Sequence, residues 1–217
     1  ICHLYIDEQA DLKKALPIVI DAKTQYPAAC NAIETLLVHA SLVDVFLPEV
    51  GKALKEANVT IHGDERTQAA IECIPLEEGD YFNEYLSLEL NIRVVDSLEE
   101  AIGHIETYGS HHTDAIVSEN PEAVRRFFTE VDSADVFANC STRFADGFRF
   151  GFGAEVGSSP TKIHARVPVG LDGLMSTKFL LAGTVQIVAA YSGKYAKQDR
   201  HKNLSVDAPS LVQGGSV

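Results

Sequence analysis

Short apolar runs and helical repeats alternate along this chain as far as Cys140. Ile1 to Asp7 reads as a strand already under way at the first residue. From Gln9 to Thr24 the apolar positions Ala10, Leu12, Ala15, Leu16, Val19 and Ile20 fall at helical spacing, with Asp7 as a candidate cap. Pro17 lies within that stretch and should kink the helix or mark its true first turn. Glu34 to His39 reads as a buried strand. Ser41 is placed to cap a helix running to about Ala57, Val59-Thr60-Ile61 reads as a short strand, and Asp64 to Ala70 as a brief helix. After a strand at Asn91 to Val95, Ser97 and Glu100 form a capping-box pattern for a helix that Gly109 ends. Ala115-Ile116-Val117 is a strand, Asn120-Pro121 opens a helix with proline at its first position, and Val136-Phe137-Ala138 is the last strand of the series.

Such alternation predicts an α/β fold with a largely parallel sheet joined by crossover helices. From Ser141 the pattern changes. Glycine becomes frequent between Gly147 and Gly173 and the helical period is lost. That predicts a glycine-rich return segment that wraps or docks rather than a second core. Leu180 to Tyr191 reads as a late β stretch, and 196–217 as a polar, mobile tail.

Composition narrows the functional classes. With 217 residues, 46% of them hydrophobic and 23% charged, the chain can bury a substantial core. A formal charge of −13 argues against a nucleic-acid partner and against an anionic membrane surface. It leaves open a small anion held by a few local cations. No apolar run reaches the roughly 18 residues that would predict a membrane span, and no signal-peptide pattern opens the chain. The cysteines Cys2, Cys30, Cys73 and Cys140 are irregularly spaced without a CxxC pair. Reduced, cytoplasmic thiols fit this better than a disulfide framework.

The candidate chemistry centres on Cys30. It follows a helix-breaking Pro27 and two small residues, Ala28 and Ala29, and precedes an apolar strand. A thiol at such a junction can be held rigidly with open space before it; the alternative is a small buried hydrophobe. A reactive thiol needs backbone amides or a cation to lower its pKa, and Lys23 and Arg143 are the candidates. In Asn139-Cys140-Ser141-Thr142-Arg143-Phe144, two hydroxyls and a guanidinium follow a strand. The carboxyl edge of a parallel sheet is where α/β proteins commonly bind ligands, and Arg suits phosphate or carboxylate. The same run also reads as a hydroxyl-rich turn. Glu84 is a candidate acceptor for sugar hydroxyls, or a solvated acid. His111-His112 reads as a pair of exposed loop histidines rather than a metal site. No metal-ligand spacing and no GxGxxG fingerprint occurs.

The segments 23–38, 84–95 and 139–173 together resemble γ-glutamyl phosphate reductase, of the aldehyde dehydrogenase superfamily. The resemblance is carried by Cys30-Asn31 with Glu34-Thr35-Leu36-Leu37-Val38, by Ser141 to Gly147, by Gly153 to Gly157, and by His164-Ala165-Arg166 with Pro168 to Leu171. It implies an aldehyde dehydrogenase-like catalytic domain and NADPH-dependent reduction of L-glutamyl 5-phosphate to glutamate 5-semialdehyde, with phosphate released. It implies Cys30 as nucleophile through a thioester, with Asn31 beside it in the catalytic motif, and the Cys30 amide as an oxyanion donor. Glu84 is implied for the nicotinamide ribose, and Ser141, Thr142 and Arg143 for the substrate. A cytoplasmic homo-oligomer is implied as well.

Three departures from the family pattern stand out. Val167 replaces a usual glycine, which would strain it if that position needs positive φ. Ser158-Ser159-Pro160 replaces Ile-Ser-Thr. The family's N-terminal half, with most of the cofactor pocket, has no counterpart in the sequence. On this reading 1–8 end a missing cofactor domain, 9–140 form the thiol-bearing domain, 141–195 the return segment and a possible oligomerisation strand, and 196–217 the tail. The rival reading is a non-catalytic remnant serving as a binding or structural subunit. A thioesterase-like hydrolase using Cys30 is a third reading, and it lacks an evident histidine partner.

Overall fold

Strand residues of this chain are apolar on both sides, and that dictates a sheet covered on both faces. The computed structural model describes residues 1–162, 166–176, 188 and 194. Its main sheet has seven strands: β1 (Cys2–Ile6), β2 (Ile33–His39), β3 (Thr60–Gly63), β4 (Ile74–Pro75), β5 (Glu89–Val95), β6 (Thr113–Val117) and β7 (Asp135–Ala138). All pair in parallel, in the order β4-β3-β5-β2-β1-β6-β7. The helices are α1 (Leu12–Thr24), α2 (Val43–Glu56), α3 (Glu65–Ala70), α4 (Leu98–Tyr108) and α5 (Pro121–Glu130). Alternate strand residues separate two cores. Leu4, Ile6, Leu36, Val38 and Ile92 meet α1 and α2. Tyr5, Leu37, Val95 and Ile116 meet α4 and α5, where Phe127 is wholly buried. Burying each such side chain contributes about 2–3 kcal/mol.

The opening strand is not the fringe of another domain. β1 pairs with β2 on one side and β6 on the other, so residues 1–8 supply an inner strand of this sheet. The alternating pattern could not show this, because it orders strands along the chain and not across the sheet.

Helix starts moved by a few residues for local reasons. Asp11, not Asp7, caps α1 by accepting from the Lys13 amide. Asp7 is instead buried, taking the Ser118 hydroxyl at 2.6 Å. Pro17 neither starts nor ends α1. It lies on the exposed side within it, as Pro48 does in α2, so the carbonyl it leaves unbonded faces water. Ser41 falls in a 3₁₀ turn, Ala40–Leu42, and α2 begins after it at Val43. Ser97 and Asn120 cap α4 and α5 as expected.

After β7 the chain forms a 3₁₀ turn at Thr142–Phe144 and then a small antiparallel pair, β8 (Gly157–Ser159) and β9 (Val167–Val169). Val167 stands in β9 opposite Ser159 and is not among the residues with positive φ, so the feared strain does not arise. Residues Ile1–Met175 form one compact unit and hold every element named. The late β stretch at 180–191 and the tail at 196–217 lie outside the described residues, apart from Val188. No helix of the described residues is long and apolar enough to cross a membrane.

Candidate active site

Cys30 is the exposed member of the four free cysteines, whereas Cys2 is buried. It sits in the turn between α1 and β2, shaped by the Ala29 amide bonding Tyr26 O at 3.1 Å and the Ala32 amide bonding Ala29 O at 2.9 Å. β2 begins three residues later, so the thiol stands at the amino edge of the parallel sheet. The run from Asn139, expected at the carboxyl edge, does leave the sheet at the carboxyl end of β7. The Cys2 thiol, at the start of β1, donates to the Cys30 carbonyl at 3.2 Å. Asn31 is buried, and its Nδ2 donates to the Ala145 carbonyl at 2.6 Å. Asn31 thereby ties the return segment to the thiol loop.

Partial burial raises the Cys30 pKa above its ordinary value, and the carboxylates of Glu155 and Glu84 add to this. A backbone hydrogen bond to the sulfur and the Arg143 guanidinium pull the other way. The free thiol is therefore protonated at neutral pH. Lys23 does not help. Its Nζ is buried and held by Glu34 at 2.8 Å and by the Ile33 carbonyl at 3.0 Å. Burial drives its pKa down and that of Glu34 up, each partner opposing the shift of the other.

The other Glu34 oxygen accepts the Leu86 amide at 3.2 Å. One buried carboxylate thus joins α1, the strand after Cys30, and the loop that carries Glu84. Leu86 has φ of 53°, a left-handed conformation uncommon for leucine, held at this junction. Glu84 itself is exposed and makes no hydrogen bond or ion pair among the described residues. The loop is further fixed by Tyr85, whose hydroxyl donates to Asn91 at 2.9 Å and whose ring stacks on His62.

The hydroxyls of Ser141 and Thr142 do not face the thiol's open side. Ser141 is 5% exposed and caps its own 3₁₀ turn, and Thr142 is fully buried with Oγ1 unpartnered. Arg143 is presented. Its Nε donates to Gln25 at 3.0 Å and its guanidinium lies 5.8 Å from the Tyr26 ring centre. Every other arginine of the described residues pairs with a carboxylate: Arg66, Arg93, Arg125, Arg126, Arg149 and Arg166. Arg143 does not.

The return segment brings a carboxylate that the sequence reading left without a role. Glu155 accepts the Gly147 amide at 3.1 Å and the Ser158 hydroxyl at 2.8 Å. A Cβ on Gly147 would come within 3.2 Å of the Glu155 Cβ and 3.0 Å of the Gly153 carbonyl, so glycine permits this close approach.

Comparison with known proteins gives the arrangement a family context. No protein-family model matches the chain. Over 204 residues it is 57% identical to gamma-glutamyl phosphate reductase 1 of Synechocystis, covering 94% of this chain and 47% of that protein. The gamma-glutamyl phosphate reductase of Pelotomaculum thermopropionicum is 54% identical over 207 residues, covering 95% of this chain and 48% of that protein. The crystal structure of gamma-glutamyl phosphate reductase from Thermotoga maritima superposes with a TM-score of 0.82 at 45% identity, over 86% of this chain and 45% of that one. The chain is homologous to part of γ-glutamyl phosphate reductase. It spans about half the length of the curated relatives it matches. An acetylating aldehyde dehydrogenase from Geobacillus thermoglucosidasius shares the fold at 21% identity, with a TM-score of 0.54 over 80% of this chain and 45% of that one.

The structure gathers Cys30, Glu84 and Arg143 at one edge, with Glu155 beside them. Glu155 had only its place in the Gly153 to Gly157 motif as a signal. Its charge disfavours the thiolate, so Glu155→Gln is expected to lower the Cys30 pKa and to speed alkylation by iodoacetamide near pH 7, by about two- to tenfold. An unchanged or slower rate would contradict the placement of Glu155.

His112 is not the exposed loop residue expected. It is half-buried, its Nδ1 lies 2.8 Å from Thr113 Oγ1, and burial lowers its pKa. Thr113 in turn donates to Asp135 at 3.3 Å. Burial, with a smaller push from Glu155, raises the Asp135 pKa from 3.8 to about 6, against the Thr113 hydroxyl. A folded-state pKa raised in this way favours the fold at low pH and loses that benefit as pH rises through about 6. Asp135→Asn should therefore raise the urea midpoint at pH 7.5, by the equivalent of roughly 2 kcal/mol, and leave it unchanged near pH 4. A lower midpoint at pH 7.5 would contradict the sign. Among the described residues no group of three or more His, Cys, Asp or Glu side chains is placed to hold a metal ion.

Proposed function

We propose that this protein serves the NADPH-dependent reduction of L-glutamyl 5-phosphate to L-glutamate 5-semialdehyde, a step of proline biosynthesis, through a thioester on Cys30. The observation that supports it most is the exposed Cys30 thiol at the amino edge of the sheet, where the loop of Glu84 enters β5 and Arg143 is held by Gln25. The sulfur attacks the acyl carbon, the carbon–oxygen bond to phosphate breaks, and phosphate leaves as the thiol proton is given up. The Cys30 amide is a donor for the developing oxyanion. Reduction of the thioester carbonyl then breaks the carbon–sulfur bond, giving the aldehyde and a free thiol.

A nicotinamide cofactor supplies the hydride for that reduction. The chain fits such a group at Glu84, an exposed carboxylate with no partner among the described residues and suited to ribose hydroxyls. Arg143, held by Gln25 and without a carboxylate of its own, binds an anionic group of the substrate. Ser141 and Thr142 support the turn that presents it. A reducing, cytoplasmic setting would keep the thiol competent.

The test is the reverse reaction in the native protein. Glutamate 5-semialdehyde should reduce NADP⁺ in repeated turnovers only when inorganic phosphate is present, and by no more than one equivalent per thiol without it. Reduction that ignores phosphate would point to an ordinary aldehyde dehydrogenase, and none at all to the non-catalytic binding subunit.

A further inference from the structure

Asp21 in α1 and Gln25, the helix C-cap, lie one turn apart and so share a face. With Arg143, Phe144 and Arg149 they line a cleft of about 130 Å³. The charges in it are unevenly matched. Arg149 is satisfied by Asp146 at 2.8 Å and by the Arg143 carbonyl at 3.0 Å. Arg143 gives Nε to Gln25 and keeps both Nη groups without a hydrogen bond among the described residues. Asp21 feels the charge of Arg143, yet the two make no ion pair, and the Asp21 carboxylate has no other partner among the described residues. One anion and one cation thus face the same small space without closing on each other.

A ligand that carries an ammonium and a carboxylate on neighbouring atoms complements that pair. We infer that this cleft receives the zwitterionic α-amino-acid head of the substrate, with Asp21 taking the ammonium and Arg143 the carboxylate. The inference rests on the proposed use of Arg143 as a substrate anchor and adds Asp21 as the residue that selects an amino acid over a simple acyl group. Arg143 offers its fork because Gln25 and the Tyr26 ring fix the guanidinium plane. Arg143 is also among the charges that act on the Cys30 sulfur.

The test is calorimetric titration of the native protein with L-glutamate, glutarate and inorganic phosphate, repeated on Asp21→Asn and Arg143→Gln. L-glutamate should bind at least about tenfold tighter than glutarate, which lacks only the ammonium. Asp21→Asn should erase that preference, and Arg143→Gln should weaken both ligands. Asp21 is exposed, so its replacement spares the fold. Equal binding of glutarate, or a preference that survives Asp21→Asn, overturns the inference. So does competition of phosphate with L-glutamate that Arg143→Gln removes, since the cleft would then be a phosphate site. Cys30→Ala should leave these affinities unchanged, which separates failure of this inference from failure of the thioester chemistry.

Discussion

Replacing Cys30 by alanine is expected to abolish phosphate-dependent reduction of NADP⁺ by glutamate 5-semialdehyde, by roughly 10⁴-fold or more in kcat. The size of the effect follows from the role. Without the sulfur there is no acceptor for the acyl group and the thioester route is closed. The fold should survive, because the side chain is exposed and lies outside the core that Phe127 and Leu37 help to fill. The melting temperature of the variant should therefore match that of the native protein, and turnover and stability separate cleanly. Serine at this position keeps the size and loses the nucleophilicity, and should fail as alanine does. Retained turnover in either variant would remove the thiol from the mechanism.

The second large effect concerns Lys23. Its ammonium and the Glu34 carboxylate are 0% and 2% exposed, respectively, and 2.8 Å apart. Lys23→Met alone leaves Glu34 buried without its partner, and should destabilise the protein by about 3–5 kcal/mol. Adding Glu34→Leu removes the stranded charge and should recover most of that stability in urea unfolding, since a buried pair contributes little more than apolar side chains of similar volume. Function should not recover with it. The Leu86 amide loses its acceptor in the double variant, and the loop carrying Glu84 loses its tie to the strand after Cys30. KM for NADPH should stay raised while alkylation of Cys30 stays near the native rate. If the double variant regains both stability and cofactor affinity, the pair is structural only.

Much of the scaffold was legible because its signals are local. Helix caps at Ser97 and Asn120 and the apolar runs at β2, β5 and β6 are properties of adjacent residues, and they stand where the pattern placed them. β4 was missed because Ile74–Pro75 is too short to show a period. The inner position of β1 was missed because strand order across a sheet is set by long-range pairing. The same limit governs the site. Cys30 stands out as a thiol between a proline and a strand, but its neighbours at that edge come from distant parts of the chain. Lys23 and Glu34 lie eleven positions apart, and only the fold of α1 onto β2 reveals their bond. Glu155 is held by the amide of Gly147, eight positions back, a link no local pattern announces. Ser141 and Thr142 carry attractive chemistry in the sequence and are turned inward by the 3₁₀ turn they build.

The most direct test is to look for the acyl group itself. Native protein is mixed with glutamate 5-semialdehyde and NADP⁺ with phosphate withheld, quenched in acid, digested and weighed by mass spectrometry. A glutamyl group should be found on the peptide that carries Cys30, and adding phosphate before the quench should release it. Turnover on addition of phosphate with Cys30 never acylated, or a glutamyl group on any other residue, would contradict the thioester.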